Sequence, residues 1–266
     1  MTRRFPTLLA RCVIVVLTVG LVACQGPSVQ LLTDPKAILT AAATQAAGAT
    51  SVHLDVSAEG SLVIDPLGTG AGAPIGLRDS TAAADIDLTG HDTRVTFAVP
   101  GLLGLSGEVI ALDDKVYLRS TLTGPQYRVT DVATPDGASA APESPLKGLV
   151  DFLAQPGLDP VKGDDVPCAG GTCYTVTIDL TAEELASLGA EGIPLPSDLP
   201  IPLPDLKDAT VALTIRVEQT TTRLSGITAA IDLAATGELT AELTFTKWGE
   251  AVSISAPPAD QVAPAG

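Results

Sequence analysis

Aromatic side chains are scarce. Four Phe, three Tyr and one Trp make up 3% of the 266 residues, so Ala, Leu, Val and Ile carry most of the 45% apolar content. A core without large rings fills space less efficiently, which is compatible with a cavity and does not establish one. Cations are also few: 15 Lys and Arg face 31 Asp and Glu, for a formal net charge of −16. Such a body repels phosphate backbones and anionic headgroups, which argues against nucleic acid as a partner and against a basic membrane-binding patch. The two histidines, His53 and His91, are far apart in sequence, and each reads as a lone exposed side chain. No Gly-x-Ser-x-Gly elbow is present. The Gly-rich stretch 68–76 lacks the Gly-Lys-Ser/Thr of a phosphate loop. The acidic pairs Asp113-Asp114 and Asp164-Asp165 sit in turn settings rather than in a paired-carboxylate site. The chain shows no catalytic constellation, no metal-ligand set and no cofactor motif.

The amino terminus is organised. Arg3, Arg4 and Arg11 precede an apolar run from Cys12 to Ala23, and Leu21-Val22-Ala23-Cys24 closes it. A basic start, a short apolar run and small residues before a cut are the marks of a signal peptide over 1–23. The run is too short to span a bilayer as a permanent helix. Its last four residues match the bacterial lipobox, in which the cysteine, here Cys24, becomes a lipid-bearing N-terminus. Cleavage there leaves twelve Lys and Arg against 31 Asp and Glu, a formal charge of −19. Attachment to the extracytoplasmic side of a cell membrane then falls to the lipid, and two or three acyl chains hold where one does not. Cys168 and Cys173 remain as a close pair at an expected hairpin turn, and in an exported chain they read as a disulfide.

Residues 24–33 form a short tether, 34–256 a single domain and 257–266 a flexible tail. Asp34 and Pro35 open a helix over 34–48, with Ile38, Leu39, Ala42, Ala43 and Ala46 on one side and Gly48 as its stop. A second helix is predicted over 145–154, and Thr181 to Glu184 has capping-box form for a short helix ending near Gly189. Five prolines between 192 and 206 give an extended connection. Residues 61–77 read as a strand end running into a flexible loop, and 133–145 as a loop. Strand alternation marks Val52-Leu54-Val56, Ala84-Ile86-Leu88, Val95-Phe97-Val99, Val116-Leu118 and Tyr174-Val176-Ile178-Leu180. Asp113-Asp114 turns between two such runs. The three runs at 211–217, 227–233 and 239–245 read as an antiparallel meander.

About eight to ten strands with one apolar and one wet face, and only about three short helices, pose a covering problem. A sandwich, a closed barrel, a sheet curled around its helices and a ligand-lined cavity all answer it.

Three stretches resemble the actinobacterial LppX/LprG lipoprotein family: Ala49-Thr50-Ser51-Val52-His53-Leu54 after an Ala-rich helix, Asp114-Lys115-Val116-Tyr117-Leu118 in the middle, and Leu243-Thr244-Phe245-Thr246-Lys247-Trp248-Gly249-Glu250 at the end. The Gly/Pro-rich segment 66–76, the cysteine pair and the density of prolines in 192–206 depart from the family pattern. The resemblance implies an α+β fold, mostly antiparallel β. The sheet would be strongly curved, a half-barrel, with a few helices on its concave face enclosing an apolar cavity. It implies an acylated lipid or glycolipid as partner, carried between membrane and outer envelope, and a receiving protein that the sequence does not name. The cavity candidates are Val52, Leu54, Val56, Phe97, Leu149, Val150, Leu153, Val176, Ile178, Leu213, Ile215, Ile231 and Leu243, each of which could equally pack a plain core. Trp248 reads as a packing residue. An envelope regulator or scaffold that binds a protein partner without lipid cargo is the competing class, and a hydrolase the third.

Overall fold

The structure, a computed structural model, describes residues 31–64, 72–131, 145–155, 157–181, 183–184 and 209–264. The signal segment with Cys24, most of the tether, most of the 133–145 loop, the helix beyond Glu184 and the Pro-rich connection lie outside the described residues. The chain divides into two units, Met1–Leu31 and Leu32–Gly266, and the elements below belong to the second.

Helix α1 (Pro35–Ala47) forms as its sequence directs. The Asp34 carboxylate accepts from the Lys36 N–H at 3.2 Å, Pro35 occupies the first turn, and Ile38, Leu39, Ala42, Ala43 and Ala46 are buried. Helix α2 (Pro145–Leu153) packs against α1. Among the described residues, thirteen strands form one antiparallel sheet. They are β1 (Ser51–Ile64), β2 (Ala73–Gly76), β3 (Ser80–Asp87), β4 (Thr93–Val99), β5 (Leu105–Leu112), β6 (Lys115–Ser120), β7 (Gly124–Asp131), β8 (Val161–Lys162), β9 (Val166–Cys168), β10 (Gly171–Leu180), β11 (Thr210–Glu218), β12 (Leu224–Asp232) and β13 (Gly237–Thr246). The order across the sheet is β7-β6-β5-β4-β3-β1-β13-β12-β11-β10-β8, with β2 beside β1 and β9 beside β10. The sheet is curved and open, a half-barrel, and the fold is α+β.

Most neighbours in the sheet are hairpins. Between β5 and β6 the turn is Asp113-Asp114, both in the left-handed region at φ 49° and 59°, the geometry of a two-residue hairpin. Asp87 builds another turn: its side chain accepts from the N–H groups of Thr89 and Gly90 at 2.8 and 3.0 Å. The long-range pairing is β1 with β13, where Leu54 faces Phe245 and Val56 faces Leu243.

Register places both ends of the sheet. Ser51, Asp87, Asp113-Asp114, Leu224 and Thr246 mark one end, the base; Ser80, Val99, Ser120, Gly237 and Leu180 mark the other, the rim. The tightly packed core joins α1 to Val52, Ile86, Val176, Ile215, Val217, Leu224 and Phe245 and continues along β10 and β11 to Ile178, Leu180 and Val211 at the rim. Trp248 stacks on Phe245 and donates to the Leu224 carbonyl at 3.0 Å, so it is a packing residue.

Three expectations change. Part of the loop expected over 61–77 is strand: Ala73–Gly76 pairs with Ser61–Ile64, because Pro74 needs no ladder donor on a short edge strand. Residues 259–263 of the expected tail form a 3₁₀ turn and a parallel bridge, Val262 to Tyr127, with the Ala263 N–H donating to the Tyr127 carbonyl at 2.8 Å. This covers part of the open edge of β7, a surface that would otherwise expose unpaired backbone groups. His53 is neither lone nor exposed: it is half-buried, and its Nδ1 lies 2.6 Å from the Asp85 carboxylate opposite it on β3.

Candidate functional site

The helix-facing wall of the sheet can be followed along one row of cross-strand partners. From the β10 side it reads Val176, Ile215, Ile227, Leu243, Val56, Ala82, Phe97, Gly107 and Ser120. The first three are large aliphatic side chains that are fully or nearly buried. Beyond Val56 the row thins to Ala82, Gly107 and Ser120, with the Phe97 ring as its one large group. A Cβ at Gly107 would sit 2.7 Å from the Phe97 Cζ and 2.3 Å from the Arg119 carbonyl oxygen, so the ring lies over the glycine and needs it. This row thus has a packed half and a half built of small residues, while the next row toward the base reads Leu54, Ala84, Val95, Val109 and Leu118.

The candidate residues divide along that line. Val52, Leu153, Val176, Ile178 and Ile215 are buried members of the core. Leu54, Leu149, Val150, Leu213, Ile231 and Leu243 are partly buried and pack against it. Val56 and Phe97 stand outside it, partly buried. Phe97 borders two depressions that are lined mainly from the opposite face: one of about 550 Å³ with Thr96, Ser106, Glu108, Arg119 and Thr121, the other of about 490 Å³ with Asp55, Ser57, Thr81, Thr96, Glu242 and Thr244.

Near the rim, Ser80 is 5% exposed, and among the described residues its hydroxyl has no hydrogen-bond partner. It sits on the same face as Ala82, two residues along β3, opposite Ala58 of β1. A buried hydroxyl without a partner is costly unless something else bonds it.

The opposite face carries a charge cluster that the sequence reading missed. Glu108 on β5 is 4% exposed. Its carboxylate accepts from Arg94 Nε at 2.6 Å, Arg119 Nη2 at 2.8 Å and the Tyr127 hydroxyl. The Arg119 guanidinium also lies 4.5 Å above the centre of the Tyr127 ring. Burial alone would raise the pKa of Glu108, but the Tyr127 and Arg94 hydrogen bonds and the two guanidinium charges outweigh it, and the net direction is down. Burial and then the Glu108 carboxylate push Tyr127 up. Half of this cluster was readable: a two-residue turn at 113 and 114 puts Glu108 directly opposite Arg119. Arg94 was not, since a five-residue connection leaves its register open. Elsewhere on this face Arg216 reaches Glu242 at 2.6 Å, lying over Gly226, where a Cβ would meet Arg216 Nη2 at 2.7 Å.

Cys168 and Cys173 form the expected disulfide, with Cα atoms 5.8 Å apart across the β9–β10 hairpin. Thr181 and Glu184 make the reciprocal capping-box bonds, Glu184 accepting from the Thr181 N–H at 2.7 Å. His91 lies in the turn after Asp87, exposed and at φ 63°. Among the described residues no group of three or more His, Cys, Asp and Glu is placed to hold a metal ion, and no helix is long and apolar enough to cross a membrane.

LprF from Mycobacterium bovis superposes on the chain with a TM-score of 0.53 at 15% identity, covering 85% of this chain and 98% of LprF. The Mycobacterium tuberculosis lipoprotein LppX gives 0.50 at 16% identity, covering 84% of this chain and all of LppX. The chain has the LppX/LprG-type fold. No protein-family model matches the sequence, and no curated protein matches it. At such identity the likeness is one of backbone architecture.

Proposed function

We propose that this chain is a cell-envelope lipoprotein, anchored through Cys24 on the extracytoplasmic side of the cell membrane, that binds acylated lipids or glycolipids against the helix-facing wall and carries them outward. The observation that carries this reading is the thinning of the wall row. Large aliphatics run along it as far as Val56; beyond that, Ala82, Gly107 and Ser120 offer little side chain of their own, and the Phe97 ring is the one large group. Acyl chains are the apolar material that would fill such a space. Val52, Leu153, Val176, Ile178 and Ile215 then form a packed floor, the six partly buried candidates flank it, and Val56 and Phe97 offer a contact surface.

The energetics give such a carrier a purpose. Each methylene buried from water is worth about 0.8 kcal/mol, so a chain of about sixteen carbons costs on the order of 12 kcal/mol to hold in water. A lipid leaves its bilayer at a useful rate only when something shields its chains. The lipobox, the one-sided strands and the fold likeness support a tethered shield.

The test is native mass spectrometry with lipid extraction on protein carrying Cys24→Ser, so that the anchor adds no lipid of its own. A bound diacyl or triacyl species near one per chain is the expected result. A clean unliganded mass, unchanged after incubation with envelope lipids, would sink the proposal and move the scaffold class ahead.

A further inference from the structure

Two leucines stand almost bare at the rim. Leu103, in the turn between β4 and β5, is 96% exposed, and Leu122, in the turn between β6 and β7, is 68% exposed. The two turns are laced together: the Thr121 N–H donates to the Ser106 carbonyl at 2.9 Å, and the Ser106 N–H donates to the Thr121 hydroxyl at 3.2 Å. The leucines therefore project from one joined platform.

Leu103 also has φ 54°, in the left-handed region. A bulky side chain is disfavoured there, while Asn or Gly is at ease. The position thus keeps an exposed apolar group in a backbone setting that does not suit it. Charge sets these two turns apart from the rest of the rim, where Asp179, Asp232 and Glu238 lie on other strands. Residues 99–107 and 120–126 contain no ionisable side chain, in a chain with 31 acids. Arg78 and Asp79, in the connection from β2 to β3, offset one another. At the base, the turns of the same strands carry Asp87, Asp92, Asp113 and Asp114. There the pKa of Asp92 is raised, by burial first and then by the charges of Asp113 and Asp87.

We infer that the Leu103–Leu122 platform is a docking surface for a lipid bilayer, entering the interface with both leucines while the acidic base points away. A net charge of −16 keeps most of the surface off a membrane, and these paired turns can approach one without charge repulsion at the contact. The surface is independent of the lipid anchor and needs no lipid on the inner wall.

The experiment is flotation of the Cys24→Ser chain with phosphatidylcholine vesicles, with and without one-third phosphatidylglycerol. The wild-type side chains should float with phosphatidylcholine, and less well when anionic lipid is added at low salt. Leu103→Asn combined with Leu122→Asn should weaken partitioning by roughly tenfold or more. Leu103→Asn alone should leave the melting temperature unchanged or raised, since Asn suits that backbone, so any loss of flotation is not a loss of fold. No flotation of the parent, or equal flotation of the double variant, overturns the inference. So does a parent that elutes as a dimer or holds a protein partner which the double variant loses. A chain that floats but carries no extractable lipid upholds docking while the carrier reading falls; a chain that carries lipid but does not float does the reverse.

Discussion

Tyr127 holds the Glu108 carboxylate with its hydroxyl and the C-terminal segment with its carbonyl, through the Ala263 N–H at 2.8 Å. One residue of β7 thus joins the buried charge cluster to the closing segment of the chain. Tyr127→Phe removes a hydrogen bond to a buried charge and is expected to cost about 2 kcal/mol. Denaturant titration should show the lower midpoint with an unchanged slope.

The same cluster sets an acid dependence. The pKa of Glu108 lies below its ordinary 4.5 in the folded chain, so the unfolded chain takes up the proton first as pH falls. The stabilisation is complete above about the ordinary value and is lost as pH drops through the folded one. Glu108→Gln should therefore be less stable than the parent at pH 7, and the gap should narrow on acidification below pH 4.5. A gap that stays constant with pH would refute this assignment. Tyr127, whose pKa is raised, acts in the opposite direction: its contribution is complete below pH 10 and lost in stronger alkali.

The disulfide closes a loop of five residue steps. Chain-entropy reasoning gives it about 2 kcal/mol. Cys168→Ala with Cys173→Ala is expected to fold with a lower melting temperature, since the β10–β11 ladder that holds Cys173 opposite Glu218 is unaffected.

The division of the wall yields a paired prediction. Val56→Trp places a ring at the edge of the thin half and should block lipid uptake while keeping the fold. Val176→Trp overfills a fully buried site and should destabilise by about 1–3 kcal/mol or more. Circular dichroism and lipid extraction on both variants check it. Equal unfolding by both would mean that the whole wall is packed core.

Much of this was legible in the chain. The Asp34 cap, the α1 stripe and the meander of β11 to β13 follow from local spacing alone. The Asp113-Asp114 turn even fixes the partner of Glu108. His53 was misread because the connection from β1 to β3 holds an extra strand, so no residue count could put Asp85 opposite it. Ser80, Leu103 and Leu122 gave no sequence signal, because exposure and an unpartnered hydroxyl are properties of the assembled surface.

By itself the sequence determined which side chains share a face, since strand alternation and helical period are local consequences of backbone geometry. It also placed the turns, the caps and the cysteine staple. Only the tertiary structure decided that β1 closes on β13, that the core gathers between α1 and the β10–β13 side of the sheet and that one row of the candidate wall thins beyond Val56. Those outcomes depend on how twist accumulates over many strands and on which distant segments then meet, and no short stretch of chain encodes that sum.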